Sequence, residues 1–475
     1  MPAHATCQPP EKSVKTPAAH NLPAGRHGEA RKITDKIIHY FLPAGRHGKH
    51  NQVEVIMDNS SSALTRYADN IITQNVSEHN LLNVIVRVLN NGKVARVMLN
   101  QVDDASLKRA AQNCRYFVKA QGTELGLVGK QKYAPVNAYH EQTAHITPTE
   151  RAAGIKEAVV EAIHNSLNIS GVFSNDSSAL TIANSKGLFA HYASTSAEFT
   201  CTALTPDSSG KNTKTARDYT RIKPVQVAKI AIDKAVKSKN PVDIKAGKYT
   251  VILEPSAAVE LLFFLAFRGF GTLAYQEGRS FLTGKLGKKI MGANISIIED
   301  AYHPDIAGMP FDYEGTPRKK VVLVDKGVAC NLVHDRLTAK KARCASTGHA
   351  LPQPNSAGPL PTNLVLLPGN SSMPEMISST ERGILISSFH YTNILDPMKM
   401  TITGMTRNGT FLIENGVITK GVKNMRFTDS VLNMLANVEL ISRDTELCGG
   451  FFGGGGFVTP ALKIRDFNFS SETKF

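Results

Sequence analysis

The stretch from Tyr249 to Gly271 constrains the fold of this chain more than any other segment. It reads YTVILEPSAAVELLFFLAFRGFG, a β-branched segment typical of a strand, followed by a break at Glu254-Pro255 and a helical segment. Ser is a preferred N-cap and Gly a preferred terminator, so we expect a helix opened by Ser256 and closed by Gly269. Because the run Leu261–Phe267 is apolar throughout, the helix should be buried on all sides, and the run is too short to cross a bilayer.

Sequence blocks in this stretch and downstream of it also carry a resemblance to a known family. The blocks read YTVILEPSAAVELL, QEGRSFLTGKLGKKI, MPFDYEGTPRKKVVLVDKGV, STGHALPQPNSAGPLPTNLVLLPG, MISSTERGILIS, ITGMTRNGTFLIENGVI and VKNMRF. In this order they resemble the TldD/PmbA family, also called modulators of DNA gyrase. The resemblance extends from about residue 53 to 470, which is most of the chain.

The family resemblance also locates the positions of a zinc site. In the TldD branch the helix carries His-Glu-x-x-x-His, in which the histidines bind zinc and the glutamate activates water. Here Phe263 and Phe264 stand at the first His and the Glu, and Arg268 stands at the second His. Phe cannot bind a metal, and Arg brings a permanent positive charge to the position of the dication. The chain therefore resembles the TldE/PmbA branch.

The resemblance to that branch implies a set of functional expectations. It implies no catalytic residue, no cofactor-binding residue and no metal of its own in this chain. It implies a non-catalytic subunit of a cytosolic zinc metallopeptidase that degrades or processes small or unfolded peptides. Zinc is expected in a TldD-like partner subunit, and a homodimer is the other expected assembly. The substrate would be an extended peptide.

Composition sets the domain count and the compartment. With 475 residues, 42% hydrophobic and 20% charged, the chain can form two domains of an α+β fold. The six cysteines are scattered, with no CxxC spacing, which favours a reducing cytoplasm over a disulfide framework. The opening residues have no signal-peptide pattern, and no apolar run reaches eighteen residues. We expect a cytoplasmic protein with no membrane segment.

The chain divides into three regions. Residues 1–50 are rich in Gly, Pro, His and charge and repeat LPAGRHG at Leu22–Gly28 and Leu42–Gly48, which predicts a disordered basic extension. Residues 51–238 predict an α+β domain of a sheet with helices. Residues 239–475 predict a mostly β domain built round the buried helix.

Local patterns place several elements within these domains. Asn91-Gly92 predicts a hairpin turn, and Asp103 or Asp104 predicts the start of a helix. The capping box Thr147–Glu150 opens a second helix. A linker helix is predicted from Pro224 to about Lys237, and a late helix at Asp429–Leu440.

The net charge of +15 at pH 7 raises the alternative of a nucleic-acid or gyrase-associated binding protein. Residues 1–50 hold eight Lys or Arg against three acids and so supply five of the fifteen charges. The remaining charge is spread thinly, with no Trp and no basic stripe interleaved with aromatics. Nucleic acid is therefore an unfavoured partner.

A second copy of the zinc pattern lies outside the helix. The segment His140–His145 reads HEQTAH, which has the His-Glu-x-x-x-His spacing. Pro135 precedes it, a new helix opens at Thr147, and no apolar pattern of helical length surrounds it. Without a helix the ligands would not be preorganised, so we interpret the segment as an exposed connection.

Three further residues are weak metal candidates. Cys448 lies where the TldD branch has its third zinc ligand, at the start of a glycine-rich segment that we interpret as a flexible flap. A lone thiolate holds no ion, because a zinc site needs at least three protein ligands. His303 and His390 have suitable nitrogen donors but no recognised spacing. A self-sufficient homo-oligomeric metallopeptidase that uses such unorthodox ligands is the main alternative.

Overall fold

The computed structural model describes residues 27–42, 51–90, 93–114, 125–449 and 455–473. The first part of the chain forms a six-stranded antiparallel sheet. Its strands in chain order are β1 (Asn51–Ala68), β2 (Ile71–Asn90), β3 (Lys93–Leu99), β4 (Asn168–Asn184), β5 (Phe189–Leu204) and β6 (Ser209–Ala216). Their order across the sheet is β3-β2-β1-β4-β5-β6, so β3 and β6 are its edges.

Helices cover one face of this sheet. They are α1 (His27–Phe41), α2 (Asp104–Cys114), α3 (Glu141–Ala144), α4 (Pro148–His164) and α5 (Pro224–Lys237), with a 3-10 turn at Tyr219–Arg221. Successive residues of β1 enter different cores: Val55 packs with α1 and α2, whereas Ile56 packs with residues of the C-terminal domain. This alternation is the two-residue period of a strand, and it places the helices and the C-terminal domain on opposite faces.

Helix α1 corrects the prediction that residues 1–50 are a disordered extension. That prediction is wrong for His27–Phe41, where Ala30, Thr34, Ile37 and Phe41 are buried along one helical face. Ile37 and Phe41 pack against the β1–β3 side of the sheet, so the segment buries enough apolar surface to fold. Residues 1–26 and 43–50, with most of both LPAGRHG copies, lie outside the described residues.

The other local predictions for this half are largely confirmed. Strands β2 and β3 pair in register from Asn90 and Lys93, as a hairpin requires, while the turn residues lie outside the described part. Helix α2 begins at Asp104, and α5 spans Pro224–Lys237 as predicted. Thr147 opens α4 with a complete capping box, in which its hydroxyl accepts from the Glu150 N–H at 3.2 Å.

The second half contains more strand than helix, and with the first half it confirms the predicted α+β fold. Its strands are β7 (Gly247–Leu253), β8 (Ile297–Glu299), β9 (Val321–Asp325), β10 (Val328–Ala329), β11 (Leu364–Leu366), β12 (Arg382–Asp396), β13 (Thr401–Glu414), β14 (Val417–Gly421), β15 (Met425–Ser430), β16 (Val438–Gly449) and β17 (Gly456–Glu472). Its helices are α6 (Pro255–Arg268), α7 (Thr272–Gln276), α8 (Arg336–Ala342), α9 (Met373–Ser378) and α10 (Val431–Ala436).

These strands form one mixed sheet that curls on itself. Strand β17 pairs with both β15 and β7, so the ladder β7-β12-β13-β15-β17 closes into a ring. Helix α6 belongs to the same hydrophobic core as these strands. The predicted helix Asp429–Leu440 is wrong at both ends, because Asp429 pairs with Ile402 in the sheet and Val438 begins β16. The predicted domain limits at residues 50 and 238 stay predictions.

Candidate functional site

Helix α6 is the element around which the site is built. Its N-cap is Glu254 rather than the predicted Ser256, since Pro255 already occupies the first turn. The Ser256 hydroxyl instead donates to the Ser387 carbonyl oxygen at 2.5 Å, which ties the helix to β12. The helix ends at Gly269 as predicted. A Cβ atom there would lie 1.7 Å from the Phe281 ring, so close packing requires glycine.

The prediction that α6 is buried on all sides is wrong. Ser256, Glu260, Phe263 and Phe267 follow one another at helical spacing and form a strip that is partly accessible. Phe267 is 37% exposed, whereas Phe264 on the neighbouring side is 7% exposed. The helix therefore keeps one face open, and that face includes one of the positions matched to the zinc ligands of the TldD branch.

The side chains at these positions form an aromatic and cationic cluster. The Phe263 ring stacks on Phe267 with centroids 6.0 Å apart, and the guanidinium carbon of Arg268 lies 4.5 Å from the Phe267 ring centroid. A cation over an aromatic face is stabilised by the ring quadrupole. Two phenyl rings and a guanidinium offer no lone pair to a dication, so these residues do not fit zinc.

Cys448 lies at the opposite end of α6 from Arg268. Its thiol donates to the Pro255 carbonyl oxygen at 3.8 Å, in the first turn of the helix. At about 1.5 Å rise per residue, Phe263 lies roughly 12 Å and Arg268 roughly 20 Å farther along the axis. Burial, and after it the charge of Glu446, raises the pKa of the Cys448 thiol to about 12. The thiol is therefore protonated at neutral pH, unlike a zinc ligand.

The two candidate histidines are also separated. His303 Nδ1 accepts the Asp305 backbone N–H at 3.3 Å, and His390 Nε2 accepts a hydrogen bond from Arg407. Partial burial, and after it the charges of Arg407 and Lys211, lowers the pKa of His390. In the described ranges no group of three His, Cys, Asp or Glu side chains could hold a metal ion.

The segment His140–His145 folds differently from its prediction as a non-helical connection. Residues Glu141–Ala144 form α3, a single helical turn, and His145 Nε2 lies 2.8 Å from Glu141 Oε1 on an exposed surface. His140 precedes the turn and lines a cavity between the domains. One turn cannot present both histidines to one ion, and the glutamate is already paired with one of them.

A cleft runs between the two domains beside Cys448 and His303. Its larger cavity has a volume of about 540 Å³ and is lined by β6, the loop around His303 and β16. An adjoining cavity of about 300 Å³ is lined by Cys448 and by the carboxylates of Asp176 and Glu198. Arg217, which donates from Nε to the Ile306 carbonyl oxygen at 3.0 Å, lines both cavities and joins the domains.

Sequence reasoning found His303 and Cys448 but not the cleft, in which they line two different, adjoining cavities. The wall residues Lys214–Arg217 carry no motif, and they meet β16 only through the packing of the two domains. The Asp176 and Glu198 carboxylates were missed for the same reason. Burial, and after it the charge of Glu198, raises the pKa of Asp176. The cleft is thus polar, and its wall carries both acidic and basic side chains.

Comparison with known proteins identifies the family. Residues 143–239 match the PmbA/TldA metallopeptidase central domain, and residues 246–471 match the PmbA/TldA metallopeptidase C-terminal domain. The chain belongs to the PmbA/TldD metallopeptidase family. The resemblance read from the sequence blocks is thereby confirmed. In the described part of this family member, no helix is long and apolar enough to cross a bilayer.

Relatives and solved structures of the PmbA/TldD family agree. A metalloprotease of Methanothermobacter thermautotrophicus is 26% identical over 335 residues, covering 66% of this chain and 72% of the relative. A TldD homologue named as a metalloprotease from Buchnera aphidicola subsp. Acyrthosiphon pisum is 26% identical over 203 residues, 40% of this chain and 41% of the relative. That alignment spans less than half of either protein.

Two solved structures share the fold at low sequence identity. A protein of Thermotoga maritima MSB8 named as a modulator of a DNA gyrase superposes with a TM-score of 0.83 at 20% identity, covering 92% of this chain and 99% of that one. TldE from Thermococcus kodakarensis superposes with a TM-score of 0.78 at 18% identity, covering 88% and 96%. These likenesses establish the fold alone.

Proposed function

We propose that this chain is a non-catalytic, TldE/PmbA-like subunit of a cytosolic zinc metallopeptidase. The observation that carries the proposal is the cluster on α6, where Phe263, Phe264 and Arg268 replace the two histidines and the glutamate that the family resemblance implies. None of these side chains can bind zinc or activate water. Membership in a metallopeptidase family together with this cluster favours a supporting role beside a zinc-bearing TldD-like subunit.

The cleft supports a contribution to peptide binding. Strand β6 is an edge of the six-stranded sheet, and β16 pairs with β17 alone among the described strands. Both strands line the cleft through Thr215 and Leu447. An unpaired strand edge can bind an extended peptide through its main chain. We infer that small or unfolded peptides enter this cleft and lie along β6 or β16.

Reconstitution with a TldD-like chain from the same genome tests the accessory role. Each chain is purified alone and then mixed, and zinc by elemental analysis and cleavage of an unstructured peptide are measured for all three samples. We expect zinc to travel with the partner, and cleavage to require the partner and to increase when this chain is added. Cleavage by this chain alone, with one zinc bound, would refute the proposal and favour the self-sufficient peptidase.

A charge reversal in the cleft tests the peptide path. Glu446 is exposed at the cleft wall, so Glu446→Lys should change KM for charged peptides in the complex while the zinc content stays constant. Glu381→Lys, an exposed position before β12, is the matched control. Equal KM values for both variants and the unmodified complex would place the peptide path elsewhere.

A further inference from the structure

A small cavity between the six-stranded sheet and the C-terminal domain is separate from the cleft described above. Its volume is about 210 Å³. Its floor is a row of directly opposed residues on three strands, since Asp58 pairs with Leu180 and Leu180 pairs with Tyr192. Opposed residues point to the same face of a sheet. Arg318 and Asn363 of the C-terminal domain line the other side.

The cavity contains an unbalanced negative group. In the described ranges, the half-buried Asp58 carboxylate has neither a hydrogen-bond donor nor an ion-pair partner. Burial raises the pKa of Asp58, as expected for a carboxylate that lacks compensation. Asn363 also lines the cavity, but its side-chain nitrogen donates to Glu299 at 2.8 Å, and its Oδ1 is fully buried beside Gly308, away from the open space. The Asp58 carboxylate is therefore the acceptor that the cavity offers to a cation.

The cavity also contains a cation with spare donor capacity. Arg318 is buried, donates from Nε to the Phe311 carbonyl oxygen at 3.3 Å and forms an ion pair from Nη1 to Glu299 Oε1 at 3.3 Å. Within the described part of the chain its Nη2 makes no hydrogen bond. A guanidinium has five N–H donors, so Arg318 can still bind a planar anion such as a carboxylate.

The two charges lie in one cavity without neutralising each other. No ion pair joins Asp58 to Arg318 among the described residues. Both charges act on Tyr313, which also lines the cavity: after the dominant effect of burial, Asp58 raises the pKa of its hydroxyl and Arg318 lowers it. Opposite charges held apart across a small polar space match a ligand that carries both charges itself.

We propose that this cavity binds a small free α-amino acid, with its ammonium at Asp58 and its carboxylate at Arg318. The ammonium donates to the Asp58 carboxylate, and the carboxylate accepts from the free guanidinium edge. The cavity volume of about 210 Å³ is many times the roughly 10–15 Å³ that one water occupies on this measure, so glycine, alanine and serine fit. The site is independent of the accessory role proposed above.

Calorimetric titration of the full chain with L-alanine tests the site. We expect saturable binding of L-alanine. Acetate and methylammonium should each bind at least about ten-fold more weakly, because each satisfies only one of the two charged ends. Equal binding of acetate and alanine, or no saturable heat with alanine, would each overturn the proposal.

A pair of substitutions adds a residue-level control. Asp58→Asn keeps the shape of the side chain and should weaken alanine binding by at least about ten-fold, because an amide replaces the ammonium's charged partner. Asp233→Asn removes a surface carboxylate of α5, which pairs with Lys237 at 2.8 Å, and should leave binding unchanged. Unchanged affinity in Asp58→Asn would exclude Asp58 as the ammonium partner and overturn the assignment.

Discussion

Restoring the zinc-binding residue types on α6 should not restore a zinc site. The test variant is Phe263→His with Arg268→His. The helix is regular to its end, where the Gly269 N–H donates to the Leu265 carbonyl oxygen at 2.9 Å. At 3.6 residues per turn, positions five apart are separated by about 140° around the axis and about 7.5 Å along it. The family resemblance implies the same five-residue spacing for the zinc-binding histidines of the TldD branch, so the third ligand decides the outcome.

The position and protonation of the third ligand, Cys448, oppose zinc binding. Cys448 contacts the first turn of α6, and its thiol pKa is about 12. Deprotonation at pH 7 therefore costs roughly 7 kcal/mol at about 1.36 kcal/mol per pKa unit, which is a large part of the roughly 10–16 kcal/mol of a structural zinc site. We expect the double variant to lose its zinc on dialysis against buffer without metal, as measured by elemental analysis.

A substitution at Phe264, the position matched to the glutamate of the zinc motif, would change folding as well as the site. Phe264 is packed in the core, so Phe264→Glu removes a buried ring, at roughly 3–5 kcal/mol, and also buries a carboxylate. Phe267→Glu on the exposed strip is the matched control and should change the free energy of unfolding far less. The double histidine variant leaves Phe264 in place, so it should still fold. One zinc per folded chain after dialysis would refute the argument from the position and raised pKa of Cys448.

Three further predictions concern stability and reactivity. Burial, with the nearby Asp312 charge, raises the pKa of Glu314 from 4.5 to about 7. The contribution of Glu314 to stability is therefore full below pH 4.5 and is lost as the pH rises to 7. In urea unfolding, Glu314→Gln should stabilise the chain by up to about 3 kcal/mol at pH 8 and should not stabilise it at pH 4. Gly315→Ala should destabilise by roughly 1–3 kcal/mol, because φ is +75° and the new Cβ would lie 2.4 Å from Leu188 Cδ2; an unchanged unfolding midpoint would contradict this. Iodoacetamide should alkylate the exposed Cys330 and Cys344 well before Cys448, which mass spectrometry of digests can measure, and fast modification of Cys448 would show that its pKa is not raised.

Sequence patterns predicted the elements whose signals are local. The capping box at Thr147 and the proline at Pro224 fix helix starts within one turn, and both starts are confirmed. The Ser256 N-cap was wrong because Pro255 already satisfies the first turn and the serine bonds to another strand. Helix α1 was not predicted because residues 1–50 are rich in Gly, Pro, His and charge, although the four buried residues of the helix have helical spacing.

The site was less predictable because it depends on contacts between distant segments. The 210 Å³ cavity joins Asp58 to Arg318 and Asn363, residues that no spacing rule connects. Likewise, Cys448 matches a zinc ligand by sequence order, yet the structure places it against Pro255 at the far end of the helix. Only the three-dimensional path of β16 shows this separation.

The packing of α6 explains how the fold can persist without zinc chemistry. Leu261, Leu262 and Leu265 anchor the helix in the ring of strands and are fully or almost fully buried. Phe263 and Arg268 stand at the positions of the zinc-binding histidines and are not among these leucines. The Arg268 guanidinium stacks over the Phe267 ring. Since apolar burial of the leucines supplies most of the helix's attachment, a chain of this family can exchange its ligands for phenylalanine and arginine and keep the same architecture.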